Sequence, residues 1–260
     1  MLKGICALSA VPLRAEPADA SEMVNQILFG ETYTVLEERK NWLRIKLWHD
    51  NYQGWLDRKQ HLAVNDAFLK KHFKKSPAIA SDLIEIVSQE DGGSFFPIFL
   101  GSFLPAYRKN QNEIVEINQL KYLYTGPVLT KKQNREQLRQ IAFLYLNAPY
   151  LWGGRSPFGI DCSGFTQMVY RLCGYSLPRD SGEQAALGHT LSFIEESLPG
   201  DLAFFDNAEG KITHVGIILE NNYIIHASGR VRLDRLDQSG IFNAEENRHT
   251  HKLRVIKKII

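Results

Sequence analysis

Cysteine is scarce in this chain, and the scarcity is a first constraint. Cys6, Cys162 and Cys173 are too few, and odd in number, to frame a disulfide-stapled domain. Long apolar runs are missing as well. The most apolar stretch, 95–104, has half of the ~20 residues a membrane-spanning helix needs, and Pro97 and Gly101 interrupt it. Neither sign of charge is in excess. Lys and Arg number 31 against 29 Asp and Glu, which argues against nucleic acid or another polyanion as partner. The N-terminus lacks a Leu-dense segment: Lys3 is its only early charge, Pro12 falls within the mildly apolar 4–13, and Arg14 and Glu16 follow at once. We therefore expect a strand of the mature protein there, a cytoplasmic location and no membrane partner, with a periplasmic or extracellular site as the alternative. What is present suffices for a packed core. Of 260 residues, 44% are hydrophobic and 23% charged, which fits one large or two to three small domains and excludes wholesale disorder.

Segment 1–65 reads as all-β. Stretches 33–36 and 43–47 are rich in aromatic and branched residues between turn-like breaks. In the second, Leu43, Ile45 and Leu47 face one way and Trp42, Arg44 and Lys46 the other, the pattern of a half-buried strand. Gly54 and Trp55 start a further strand. The basic cluster at 70–75 reads as a solvated face. Segment 66–128 again alternates short strands (95–99, 101–104, 114–117, 121–124) with Gly and Pro breaks, so two small barrels in series would account for both segments. From 129 to 260 the character changes. Leu138, Ile141, Ala142 and Tyr145 mark an amphipathic helix ended by Pro149. Phe165, Met168, Val169, Leu172 and Cys173 share one face of a second helix, with Gly174 as its C′ residue. Ser181 followed by Gln184 resembles a capping box opening a third. Strands are expected at 202–205, 214–219, 223–227 and 253–256. Helices followed by an antiparallel sheet make this an α+β domain.

Cys162 lies in D-C-S-G, just before the clearest helix. Asp161 is a good N-cap, which sets Cys162 in the first turn, where unpaired N–H groups and the helix dipole favour a thiolate. The same N–H groups suit an oxyanion once the sulfur attacks a carbonyl. A buried structural cysteine is the plainer reading. It fits Cys173, on the apolar face, and Cys6, in an apolar strand, better than Cys162, whose neighbours Asp161 and Ser163 are polar. A nucleophilic cysteine needs a base. His49, His61, His72, His189, His249 and His251 sit in polar surroundings, so a surface position is their default. His214 and His226 are each embedded in an apolar strand. A three-residue loop at 220–222 pairs Gly216 with His226 and puts His214 about 7–8 Å away, diagonal on the same face. A two-residue loop at 221–222 would put the two histidines on opposite faces. In the first register Cys162 is the nucleophile, His214 its base, and His226 the group that orients His214. A zinc site of Cys162, His214 and His226 is conceivable, but no CxxC or HxxxH spacing supports it. No metal or cofactor is expected.

At this point the residues are familiar. Segment 133–260 resembles the NlpC-type papain-like cysteine peptidases of bacterial cell-wall metabolism, through Y-L-W-G-G, G-I-D-C-S-G-F, P-R-D-S, P-G-D-L, H-V-G-I and I-H-A-S in the family's order. The front half, with R-A-E-P, S-E-M-V-N-Q, F-G-E, Y-Q-G-W and L-G-S-F-L-P, resembles a subfamily that joins two bacterial Src-homology-3-like barrels to the peptidase. That resemblance implies domains at 1–65, 66–128 and 129–260, and a γ-D-glutamyl-L-diamino acid endopeptidase acting on murein tripeptides or tetrapeptides with a free N-terminal L-Ala, in murein peptide recycling. By resemblance Cys162, His214 and His226 are catalytic. Glu22 and Tyr52 of the first barrel, with Asp161, would hold the substrate amine, with Glu31 a rival for Glu22. Trp152 would wall that pocket. Ser163, Arg179 and Ser181 would bind the D-Glu region, and Tyr150 would aim its hydroxyl at the oxyanion. The chain is expected to be a monomer. An exported hydrolase of intact peptidoglycan and a non-catalytic wall-binding protein are the alternatives.

Overall fold

Leu43, Ile45 and Leu47 are fully buried, while Trp42, Arg44 and Lys46 keep solvent exposure, as their alternation demands. The computed structural model describes residues 1–72, 78–107 and 113–260 and divides into two units, Met1–Lys131 and Lys132–Ile260. No helix of the described residues is long and apolar enough to cross a membrane.

In the first unit, β1 (Lys3–Ile5), β2 (Ala10–Arg14), β3 (Met23–Leu28), β4 (Thr32–Glu38), β5 (Trp42–Leu47), β6 (Gln53–Asp57) and β7 (Leu62–Ala63) form one sheet. Its order is β3-β2-β6-β5-β4-β1-β7. The expected N-terminal strand is thus two strands. Cys6 falls in the turn between them rather than in a strand, and is nevertheless buried. Helix α1 (Asp66–His72) follows, and of the basic cluster Lys70 is exposed upon it, while Lys74 and Lys75 lie outside the described residues. Then come β8 (Ala78–Ala80), β9 (Ile84–Gln89), β10 (Phe95–Phe99), β11 (Phe103–Leu104), β12 (Ile114–Ile117), β13 (Leu120–Leu123) and β14 (Val128–Leu129). They form two small sheets, β10-β9-β13-β12 and β11-β8-β14. The strand expected at 101–104 shortens to β11, because Gly101 takes a φ of +87° in the turn before it. Ile5, Phe29 and Phe68 pack with Val87, Ile98 and Tyr124, so both β segments share a core. Phe103 N–H also donates to Phe29 C=O at 2.9 Å. Gly30 permits that approach: its φ is +78°, and a Cβ there would stand 2.1 Å from the Phe103 carbonyl oxygen.

The second unit opens with α2 (Arg135–Leu144), begun by a capping box of Asn134 and Gln137. It ends at Leu144, with Tyr145 as C-cap, well before Pro149. After β15 (Arg155–Ser156) and β16 (Gly159–Ile160) comes α3 (Cys162–Leu172), then α4 (Ser181–Gln184) and β17 (His189–Leu191). Gly174, at φ +80°, follows α3 as expected. The N-cap of α4 is Asp180, not Ser181, and no side-chain cap bond forms. Gln184 instead turns inward to bond Thr166, and the carbonyls of Ser163 and Pro178. The strands that complete the domain are β18 (Leu202–Asp206), β19 (Ile212–Ile218), β20 (Tyr223–Ser228), β21 (Arg230–Asp237), β22 (Gly240–Asn243) and β23 (Arg248–Lys258). Each pairs antiparallel with the next, and β23 returns to pair with β18, so the sheet closes on itself. Closure removes the free edges that an open sheet would leave there. Helices α3 and α4 pack against β19. In this unit the order is the expected one: helices first, antiparallel sheet after.

Candidate active site

Asp161 starts α3. Its extended backbone and its Oδ1, which accepts from Gly164 N–H at 2.7 Å, make it the N-cap, so Cys162 is the first helical residue. Its Oδ2 accepts from Gly153 N–H at 2.8 Å, which ties the Y-L-W-G-G loop to the helix start. Arg179 completes this end. Its Nη1 lies 2.9 Å from Asp161 Oδ1 and 2.9 Å from Ser163 Oγ, and its Nη2 lies 2.5 Å from Asp161 Oδ2. The Arg179 side chain is 1% exposed, so the guanidinium neutralises Asp161 instead of standing open for a substrate carboxylate.

Cys162 is buried, with Sγ 4.0 Å from the Thr213 carbonyl on β19. Burial, aided by the Asp161 carboxylate, pushes its thiol up to about 12, against the opposing pull of backbone groups at Val215 and Ser163 and of Arg179. This differs from the thiolate the helix N-terminus led us to expect. Desolvation of the sulfur outweighs the helix-terminal field, so the resting group is a thiol. Tyr150, beside it, is half-buried. Burial first, then the neighbouring Cys162 and Asp161, push its hydroxyl up to about 12 and keep it a neutral donor.

The basic end is built from three successive strands. The β19–β20 loop uses all three residues, Glu220 to Asn222, with Asn221 and Asn222 at φ 57° and 60°. Asparagine tolerates that conformation. Gly216 accordingly pairs with His226, and the two histidines share a face. His214 Nε2 lies 2.8 Å from His226 Nδ1. An N-to-N contact of that length leaves no room for an ion between the rings. Among the described residues, no group of three or more His, Cys, Asp or Glu is placed to hold a metal.

Sequence reasoning missed what comes next. His226 Nε2 lies 2.9 Å from Asp234 Oδ2 on β21. Arg232 holds the same carboxylate with Nε at 2.7 Å from Oδ2 and Nη2 at 3.0 Å from Oδ1. Asn243 and Glu245 anchor Arg232 in turn, each at 3.0 Å. Burial pushes the Asp234 carboxyl up, but the bonds from His226 and Arg232 outweigh it and hold the group below the usual carboxylate range. His251 on β23 was also misjudged. It is partly buried and stacks on His214, ring centroids 4.2 Å apart. Burial, then the neighbouring His226 and His251 rings, keep His214 well below the ordinary imidazole range. Burial likewise lowers His226 and takes His251 to about 4. Both site ends are therefore neutral at rest: a thiol, and an imidazole with a free lone pair.

The remaining candidates divide between the units. Trp152 is 60% exposed and so is not core. Ser163 is buried beside Asp161, and Ser181 is partly exposed. Glu22, exposed, and Tyr52, packed on the core of the first sheet, belong to the first unit. Glu31 is fully buried, and its Oε2 accepts from Leu28 N–H at 2.9 Å, a structural task.

The geometry has counterparts. Residues 147–249 match the NlpC/P60 family, and residues 13–60 match the bacterial dipeptidyl-peptidase Sh3 domain. Gamma-D-glutamyl-L-lysine dipeptidyl-peptidase of Bacillus subtilis (strain 168) is 29% identical over 217 residues, covering 78% of this chain and 71% of that protein. Dipeptidyl-peptidase 6 of Lysinibacillus sphaericus is 29% identical over 248 residues, covering 87% and 89%. The crystal structure of an NlpC/P60 family protein from Bacillus cereus shares the fold at a TM-score of 0.83 and 21% identity, over 98% of this chain and 99% of that one. The chain thus carries, behind a bacterial SH3 domain, a domain of the NlpC/P60 family of cysteine peptidases.

Proposed function

We propose that this protein is a cysteine endopeptidase that hydrolyses the γ-D-glutamyl–L-diamino acid bond of murein peptides carrying a free N-terminal L-Ala. In this reading it works in the cytoplasm, as a monomer, on fragments released from the cell wall. The observation that carries it is the buried Cys162 thiol at the start of α3, packed on the strand that bears His214. His214 takes the thiol proton as sulfur attacks the γ-carbonyl carbon, and the helix-terminal N–H groups receive the oxyanion, with the Tyr150 hydroxyl as a further donor. The C–N bond breaks as His214 returns the proton to the leaving amine. Water, deprotonated by His214, then hydrolyses the thioester and frees the thiol. Within the second unit, Trp152 walls the substrate ammonium, and Ser163 and Ser181 face the D-Glu region. The name of the Bacillus subtilis relative supports the bond chosen.

Mass spectrometry of L-Ala-γ-D-Glu-diaminopimelate and its L-Lys counterpart, each free and N-acetylated, tests this. Release of L-Ala-D-Glu from the free peptides alone is expected. Equal cleavage of the acetylated peptides would remove the amine requirement, and cleavage of neither form would remove the activity. Cys162→Ala is expected to abolish turnover, a loss on the order of 10⁶-fold in kcat for removal of a nucleophile. Cell fractionation tests the compartment, since recovery in the wall fraction would overturn a cytoplasmic role.

A further inference from the structure

His214 can act as base only if its proton sits on the nitrogen turned away from the thiol. Nε2 of His214 is taken by His226 Nδ1 at 2.8 Å, so Nδ1 is the nitrogen left for the thiol. Two neutral rings joined N to N share one proton in that contact, and either ring can supply it. If His214 supplies it, its Nδ1 holds a lone pair. If His226 supplies it, His214 must carry its own proton on Nδ1, and the base is lost. The triad alone does not choose between the two.

Asp234 does. An ionised carboxylate only accepts, so His226 Nε2, 2.9 Å away, must be the protonated nitrogen. A neutral His226 then has an unprotonated Nδ1, which must accept from His214 Nε2–H. One danger remains, because a carboxylate also attracts a second proton to the ring beside it. Arg232 counters that by binding both oxygens of Asp234, with its own side chain 12% exposed. The pair orients His226 without offering it an uncompensated negative charge. Burial of His226, 1% exposed, acts in the same direction.

We propose that Asp234, held by Arg232, is a positioning residue that fixes the tautomers of both histidines and so leaves His214 Nδ1 unprotonated to receive the thiol proton. This deepens the peptidase reading and rests on it. In Asp234→Asn, an amide nitrogen at the Oδ2 position would donate to His226 Nε2 and reverse the whole chain. In either orientation the amide nitrogen faces an Arg232 donor, Nε at the Oδ2 position or Nη2 at the Oδ1 position, so the substitution disturbs the hold on His226 both ways.

The test combines kinetics with nitrogen-15 NMR of histidine-labelled full-length protein. In the wild type, protons on Nε2 of both His214 and His226 are expected. A proton on His214 Nδ1 would overturn the proposal even if Asp234→Asn failed to fold. In folded Asp234→Asn, kcat is expected to fall on the order of 10²–10⁴-fold with KM little changed, and His214 to shift toward the Nδ1–H form. An unchanged kcat would refute the assignment, as would a lower kcat with unchanged tautomers, which marks mere structural damage. The wild-type tautomers are read without substrate, so a failed cleavage assay would sink the peptidase reading separately.

Discussion

Asp161 and Asp234 are both buried, and each is gripped by an arginine through two contacts. They differ in where their remaining lone pairs go. Those of Asp161 accept backbone N–H groups from Gly153 and Gly164, so that carboxylate fixes where a loop ends and α3 begins. The remaining bond of Asp234 goes to an imidazole nitrogen, so that carboxylate fixes where a proton sits. An arginine makes either carboxylate tolerable inside the protein, but it does not decide the role. The third partner does.

The sharpest test of this contrast is Asp161→Ala. It removes an N-cap and strands the buried Arg179, so a stability loss of about 3–5 kcal/mol is expected from denaturant unfolding. Asp234→Asn, which keeps the shape and leaves Arg232 with other partners, should lose far less stability and far more kcat. If Asp234→Asn proves the less stable of the two, the contrast fails. Gly216→Ala comes next. Its Cβ would stand 2.7 Å from Ile224 Cδ1 and 2.8 Å from His226 Cβ, so the ring that Asp234 positions must move. Overpacking of this kind costs about 1–3 kcal/mol, and kcat should fall with it. Unchanged kcat would mean that the relay tolerates displacement.

The smallest effect is one of pH. His214, His226 and His251 have lowered proton affinity in the fold, so below about 6.5 the unfolded chain takes up protons that the folded chain refuses. Stability is therefore full above that pH and falls as acid is added. Denaturant midpoints at neutral and mildly acidic pH should show the fall, and His251→Gln should lessen it. A midpoint that rises on acidification would contradict the sign. The acid limb of kcat/KM should lie below 6.5 for the same reason, since burial holds His214 neutral.

Most of the fold was legible because alternation and caps are local. Leu43, Ile45 and Leu47 announced a strand, and D-C-S-G announced a helix start. The pairing of the two histidines was legible up to one choice, the length of the Glu220–Asn222 loop, and the left-handed asparagines resolve it. Asp234 was hidden because its strand inverts the usual pattern. In R-L-D-R, Leu233 is 37% exposed and Asp234 is 5% exposed, so a reading by hydrophobicity turns the strand the wrong way. The usable signal was register: Arg232 pairs with His226 across the short turn at Gly229, which puts Asp234 diagonal to His226 on one face. His251 was hidden because T-H-T-H-K looks solvated, and only closure of β23 onto β18 and β22 brings it over His214.

His214, His226 and Asp234 come from three consecutive hairpin strands, whereas Cys162 comes from a helix much earlier in the chain. The proton-handling half can close over short loops, while the sulfur must be delivered by long-range docking of α3 on β19. A newly made chain consequently keeps its thiol apart from its base until that docking is complete. Closure of the strands alone therefore leaves the proposed site incomplete, and only the packing of α3 on β19 brings sulfur and base into one place.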